Sequence, residues 1–399
     1  MLNIILFDDK DVWTDLLPIT YTRPIADIRI GIQTIREKWQ RLVPDARISV
    51  ATRPYLSKKY PTAEAEESLF IAGNFLPDEK IAAAVTSLKN GEALTAGEEL
   101  IAYCGTKAEF ETKSFASTKV YEGETDALHL LYDIFQKNDK EIRKDFRMLT
   151  SGRESQPLSP TCTLIGPHML DDGLPAIFIE EGASVEGAYI NTTNGPVYIG
   201  RDATVMEGSC IRAPFAACTH SQVNMGTKIY GATTLGPFCK VGGELNNVVM
   251  TGYSNKAHDG FLGNAVVGEW CNIGAGTNAS NLKNDYTEIK LWNYRTHRFM
   301  RTGLQFCGLI MGDHSKAGIN CMFNTATVIG VGVNVHGAGF PRNFVASFSD
   351  GSVSAGFSDV SVNKFFDTAK RMMARRGVEL SDEDKEIFES IYNIADNYK

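Results

Sequence analysis

Nowhere in the 399 residues is there a run of the ~20 apolar residues that a helix needs to cross a bilayer, so a helical membrane span is excluded. No Cys-x-x-Cys pair occurs either. The eight cysteines (Cys104, Cys162, Cys210, Cys218, Cys239, Cys271, Cys307, Cys321) stand scattered, without the spacing of a disulfide framework or a zinc site, and read as small buried hydrophobes for the most part. Positive charge is also short. Forty Lys and Arg against 48 Asp and Glu leave a formal charge of -8, which argues against a general nucleic-acid or anionic-membrane binder but leaves room for a local basic pocket for phosphates. The opening MLNIILFDDKDVW lacks the basic n-region of a signal peptide and meets Asp8, Asp9 and Asp11 at once; it reads as a first buried strand and implies a cytoplasmic protein.

What is present is a soluble globular composition, 43% hydrophobic and 22% charged, on a chain long enough for two or three domains. The second half carries a repeat. Apolar residues recur at every sixth position through Ile199, Val205, Ile211, Ala217, Val223, Ile229, Leu235 and Val241. The phase slips, resumes at Phe261, Val267, Ile273 and Ala279, and returns at Met311, Ala317, Phe323, Ile329 and Val335. A six-residue period fits neither helix nor alternating strand. It fits a solenoid in which one short strand and one turn make each side of a triangular coil, the apolar residue pointing to the axis and a glycine often following it.

The first half has another rhythm. Short apolar runs at 3–7, 47–50 and 68–72 predict strands, and the spacing over 28–39, 78–89 and 125–137 predicts helices. Alternating strands and helices imply an α/β layered domain with a mainly parallel sheet. This divides the chain into an α/β domain over 1–152, a polar linker over 153–160, the repeat domain over 161–345 and a helical tail over 346–399, whose last helix Ser381 would cap.

The break in the repeat, KAHDGFLGNAVVGEWCNIGAGTN, holds Lys256, His258 and Asp259 beside glycines. The hexapeptide pattern over roughly 160–345 resembles the left-handed parallel β-helix of hexapeptide-repeat acyltransferases, which implies a homotrimer with sites in the clefts between coils. The break itself resembles the acetyltransferase site of the bifunctional glucosamine-1-phosphate acetyltransferase/N-acetylglucosamine-1-phosphate uridylyltransferase family, which makes UDP-N-acetylglucosamine. That resemblance places His258 on the general base, Phe261 on a tyrosine, Asn272 and Asn281 on asparagines of the site, and Ala275 beside the pantetheine thioester. Lys240 and Lys256 would contact the sugar phosphate. Imidazole suits the base role because it titrates near working pH and can take a proton from the acceptor amine. The 283–301 insertion, with Lys283, Lys290 and Arg298, would hold acetyl-coenzyme A or sugar phosphate; packed through Trp292 and Tyr294, it would instead meet a neighbouring subunit.

The first domain resembles a divergent group of sugar nucleotidyltransferase-like domains fused to a hexapeptide half. It lacks the family's glycine-rich loop; Arg23 and Arg29 stand in its place as candidate nucleotide contacts, and Asn74 replaces the aspartate that binds Mg2+. The expected fold class is thus an α/β nucleotidyltransferase-like domain, a left-handed parallel β-helix and a short helical tail. The expected function is acetyl-CoA-dependent N-acetylation of an amino-sugar phosphate, with nucleotidyl transfer from a nucleoside triphosphate, and Mg2+, if the first domain is active. The metal ligands are left open. Two other readings fit the same residues: a nucleotidyltransferase using the coils only as a trimerisation scaffold, or a non-catalytic protein that binds sugars or nucleotides.

Overall fold

The computed structural model describes residues 2–399. Six strands, β1 (Asn3–Phe7), β2 (Arg47–Ala51), β3 (Ser68–Ala72), β4 (Glu92–Ala96), β5 (Glu99–Gly105) and β6 (Ser117–Val120), form the first sheet in the order β2-β1-β3-β5-β4-β6. The sheet is mainly parallel, as expected, with β4 and β6 running the same way as the first three strands; β5 alone is reversed, antiparallel to both β3 and β4. The cause is local: two residues join β4 to β5, Gly97 among them at φ +58°, and so short a link permits only a hairpin. The expected helix over 28–39 begins only at Ile35. Arg29–Ile30 and Gln33–Thr34 pair as a hairpin around Gly31, after which Thr34 and Glu37 form the capping box that opens helix Ile35–Leu42. Over 125–137, Asp133 accepts the backbone N–H groups of His129 and Leu130 and turns the chain, and the long helix is Asn138–Thr150.

From Thr163 the chain coils. Strands of two or three residues lie parallel to their equivalents one coil on: Val197 faces Phe215 and Phe215 faces Thr233, while Thr204 faces Gln222 and Gln222 faces Lys240, each 18 residues further. These parallel strands make a curled sheet with the build of a β-helix, and the stacking runs on to Ser349–Ser352. Every inward residue expected from Ile199 to Val241 is buried, as are Val267, Ile273, Ala279 and those from Met311 to Val335. Burying a Val, Leu or Ile side chain is worth roughly 1.5–3 kcal/mol, which is what two-residue strands need to stay in place. Phe261 departs from the pattern. It is half-buried, and Leu262 takes the inward place between Leu245 and Ala279.

One corner of the coils is built in an unusual way. His220, Phe238, Tyr253, Trp270 and His314 succeed one another there, all at φ between 52° and 60°. A bulky residue in the left-handed region is strained. Here the rings stack from coil to coil, Phe238 on Tyr253 at 4.8 Å and Tyr253 on Trp270 at 4.2 Å, and each such pair returns about 0.5–1.5 kcal/mol.

The domains are joined by buried polar groups. Helix Asn138–Thr150 carries Glu141 and Asp145, which flank the buried Lys38 ammonium at 2.7 and 2.6 Å, and Asn138 donates to the coil carbonyl of Ala232 at 2.9 Å. Arg23 reaches the buried Asp313 of the coils, with Glu269 at 3.6 Å, and Thr22 donates to the same Asp313 oxygen at 2.6 Å. Burial works against the Arg23 charge, yet Asp313 and Glu269 more than offset it and raise its pKa. Tail helices Val362–Ala374 and Asp382–Ala395, the latter capped by Ser381, pack Phe365, Met373, Phe388 and Ile391 into the same core as the first domain. All eight cysteines are free thiols and five are buried. Among the described residues no helix is long and apolar enough to cross a membrane.

Removing one partner of a buried pair leaves the other charge uncompensated, so Arg23→Ala is expected to lower stability by about 3–5 kcal/mol. Denaturant titration checks this. Adding Asp313→Asn to that variant should recover part of the loss, and an unchanged midpoint in Arg23→Ala would show that the pair does not hold the domains together.

Candidate functional site

The coil register shortens where the repeat breaks. Lys240 faces Asn255, only 15 residues on, and Asn255 faces Asn272 after 17. As a result Lys256 stands opposite Val241, in a position that other coils give to an apolar side chain. It is buried, and its ammonium donates to the carbonyls of Gly242 (3.2 Å) and His258 (2.7 Å). Burial pushes its pKa down to about 8, with Asp259 holding it up in part. Lys256 is therefore an internal clamp on the loop and not a substrate contact, because its amine faces the coil interior.

The clamp fixes His258 outward. Asn224 donates to the carbonyl of Ala257 at 2.8 Å, and the N–H of Gly276 donates to the carbonyl of Asp259 at 2.9 Å, so the KAHDG loop is tied to coils on both sides. Gly260, at φ +123°, has no room for a side chain: a Cβ there would lie 2.1 Å from the carbonyl oxygen of Thr277. Exposed on the outer surface, His258 lines a cavity of about 550 Å³ together with Lys240, Asn272 and Ala275. Four of the residues expected from sequence thus converge.

The remaining lining was not foreseen. Tyr253 and Trp270, from the stacked corner, make one wall, and Met372, Arg375 and Arg376 reach in from the end of tail helix Val362–Ala374. Arg376 donates to Asn255 Oδ1 at 3.0 Å. The signals were in the sequence as the 15- and 17-residue spacing of Phe238, Tyr253 and Trp270, and as the Arg-Arg pair ending the tail helix.

Other expected contacts lie elsewhere. Phe261 and Asn281 flank Gly263 outside the cavity; Asn281 donates to Asn264 Oδ1 at 2.8 Å, and the Phe261 N–H donates to Asn278. The 283–301 insertion forms a hairpin, Lys290–Asn293 with Arg298–Arg301, that packs on the chain's own first domain. Tyr294 is buried against Tyr21 and Tyr398, Trp292 stacks on Phe344 at 4.3 Å, and Arg295 pairs with Asp15 at 2.9 Å. Lys290 and Arg298 are exposed on that hairpin, and Lys283 donates to the Glu288 carbonyl at 3.0 Å, so none of the three lines the cavity.

Arg23 and Arg29, expected to contact a nucleotide, are both buried and engaged within the chain. Arg23 is committed to Asp313, and Arg29, also buried, donates to the carbonyls of Thr251 (3.3 Å) and Ile32. Asn74 does face a cleft, of about 520 Å³, at the carboxyl ends of β1 and β3, where ligands of open α/β sheets bind. Asp9, Asp11, Asp15 and Glu99 line it together with Lys113, His129 and Arg295, of which Arg295 pairs with Asp15 and His129 with Glu99. Its carboxylates do not form an Mg2+ ligand set. Asp9 caps helix Lys10–Asp15, Arg295 and Asn293 engage Asp15, and among the described residues no three His, Cys, Asp or Glu side chains converge on a metal-sized point. Asp8 accepts from Ile25 N–H and Thr52, burial pushing its pKa up to about 7, and Asp78 caps helix Glu79–Thr86.

This arrangement, an α/β domain followed by a coil of six-residue repeats, is similar to that of known transferases. Residues 4–154 match the family model described as sugar nucleotidyl transferase. The chain is similar to the bifunctional protein GlmU of Nostoc sp., 26% identical over 220 residues, 51% of this chain and 44% of that protein. It is also similar to the bifunctional sugar-1-phosphate nucleotidylyltransferase/acetyltransferase of Sulfurisphaera tokodaii, 29% identical over 145 residues, 36% of this chain and 35% of that one. The matched part spans less than half the length of these relatives. At the level of family, the resemblance seen in the sequence is borne out.

The Lys256 clamp carries a pH signature. Its folded pKa of about 8 lies below the ordinary 10.5, so the unfolded chain binds more protons between these values and stability rises with pH across that window. The full contribution is about 3 kcal/mol. Lys256→Met should flatten the rise relative to the parent when thermal midpoints are compared from pH 7.5 to 10; parallel curves would show that the amine is already solvated.

Proposed function

We propose that the coil cavity transfers an acetyl group from acetyl-coenzyme A to the amine of an amino-sugar phosphate. One observation carries this reading: the shortened coils bring His258, Asn272, Ala275 and Lys240 to a single cavity, with His258 exposed on it and its backbone pinned from both sides. The acceptor amine attacks the thioester carbonyl carbon as the free base, and His258 takes the proton that its nitrogen sheds as the bond forms. A C–N bond forms, the C–S bond breaks, and the thiolate leaves with the proton returned by the imidazolium. Such general-base help is worth roughly 10²–10⁴ in rate. The backbone N–H of Ala275 at the coil corner is the donor this reading assigns to the oxyanion, and Asn272 orients the acceptor.

The coils are taken to be left-handed and the assembly a cytoplasmic homotrimer, in which a neighbouring copy would cover Ile319, 71% exposed at the cavity. The first domain offers its strand-end cleft to a nucleoside triphosphate, which would complete a bifunctional route to a nucleotide sugar. A specific observation favours a second reading of that domain, as a docked module that binds without transferring. Arg23 and Arg29 are spent at the domain junction, and the carboxylates near Asn74 are engaged in caps and ion pairs.

With acetyl-coenzyme A and glucosamine 1-phosphate, free-thiol release is expected from the parent and should fall at least about 100-fold in His258→Ala while the oligomer persists in light scattering. Equal release by both would remove His258 from the chemistry. Pyrophosphate release from a nucleoside triphosphate and a sugar 1-phosphate, measured alongside, separates transfer from simple binding in the first domain.

A further inference from the structure

Three cations meet at the cavity. Lys240 comes from a coil strand, and Arg375 and Arg376 come from the tail, just past the end of helix Val362–Ala374, where Arg375 is the C-cap residue. Burial and then the fields of Arg376 and Arg375 lower the pKa of Lys240, and no carboxylate is among the groups acting on it. The helix C-terminus favours basic residues, which by itself accounts for an arginine pair. It does not account for their lining the same cavity as Lys240, a like charge on an independent element. The tail is seated to keep them there, through Phe365, Phe366 and Met373 in the core and the Arg376–Asn255 bond of 3.0 Å.

A cluster of like charges in a concave, partly desolvated site is repulsive when empty and becomes favourable once an anion enters. The guanidinium fork matches the oxygens of a phosphoryl group, which it can hold by paired hydrogen bonds. We propose that Lys240, Arg375 and Arg376 form a phosphate subsite, the tail helix supplying the cations that the coil itself lacks, and that this subsite selects a phosphorylated ligand for the His258 cavity. The assignment of the cavity to acetyl transfer rests on the function proposed above; the binding of phosphate does not. The phosphoryl group belongs either to the sugar acceptor or to coenzyme A.

Calorimetric titration of the full chain with glucosamine 1-phosphate, glucosamine, coenzyme A and dephospho-coenzyme A tests this, comparing the parent with Arg375→Gln/Arg376→Gln and with Arg375→Lys/Arg376→Lys. Loss of two charged hydrogen bonds is expected to weaken the ligand whose phosphate sits here by about 100-fold or more in the glutamine variant, with partial recovery in the lysine variant and no change for the counterpart lacking that phosphate, glucosamine or the diphosphate-bearing dephospho-coenzyme A. A loss confined to glucosamine 1-phosphate places the acceptor's phosphate here; a loss for coenzyme A but not dephospho-coenzyme A places the ribose phosphate here. Equal affinity of parent and glutamine variant for every ligand overturns the proposal, even if acetyl transfer is observed. Tight phosphate-dependent binding without thiol release would uphold the subsite and sink the acetyltransferase reading instead.

Discussion

Everything in the second half of the molecule depends on the register between successive coils. Strands of two or three residues cannot stand alone; each is held by bonds to the coil before and after and by a side chain buried on the axis. Where the separation is 18 residues, the inward places take Val, Ile, Leu or Ala. Where it drops to 15, the inward place falls to Lys256, and a charged amine must find carbonyls inside the coil. The cost of that burial and the orientation of His258 therefore share one cause, since the carbonyl that satisfies the lysine belongs to the histidine. Backbone strain in this structure follows the same geometry. The corner at Phe238, Tyr253 and Trp270 requires positive φ, and ring stacking across coils is what makes bulky residues tolerable there.

The second constraint is the seam between the domains. A buried arginine beside a buried aspartate is stable only while both are present, so Arg23 and Asp313 fix the two domains against one another. Lys38 with Glu141 and Asp145 does the same for helix Asn138–Thr150, and the 290–301 hairpin adds a third attachment through Tyr294 and Arg295. An arginine that carries such a load is not available to a triphosphate.

How much of this was legible in the sequence varied with the kind of signal. The six-residue period named the inward residues individually, because burial on an axis is a local rule repeated many times. Phe261 escaped it: the shortened coil moved the phase by one residue, and Leu262 turned inward instead. Motif resemblance brought His258, Asn272, Ala275 and Lys240 to one cavity. It failed for Lys256, Arg23 and Arg29, since residue type and neighbourhood do not reveal whether a cation faces solvent, a coil interior or another domain. The tail arginines stood in the sequence as a pair, but nothing there tied them to this cavity. They lie more than a hundred residues from His258, and only the folding of helix Val362–Ala374 against the shared core brings them in.

That return of the tail changes what the cavity is. A site made by coils alone would have His258 on a rigid frame with Lys240 as its one cation. Here the frame and the charge come from different parts of the chain: the coils hold His258, Asn272 and Ala275, while the tail, anchored on the first domain by Lys58 and Lys59 against Glu386 and Asp384, carries the two guanidiniums. The surface ion pairs contribute little individually. The apolar packing of Phe365, Phe388 and Ile391 is what fixes the helix, so the position of the cations is set by the same core that contains the first-domain sheet. A chain built this way ties the charge of one site to the integrity of the other domain, and the first domain, whatever else it does, is needed to hold Arg375 and Arg376 in place.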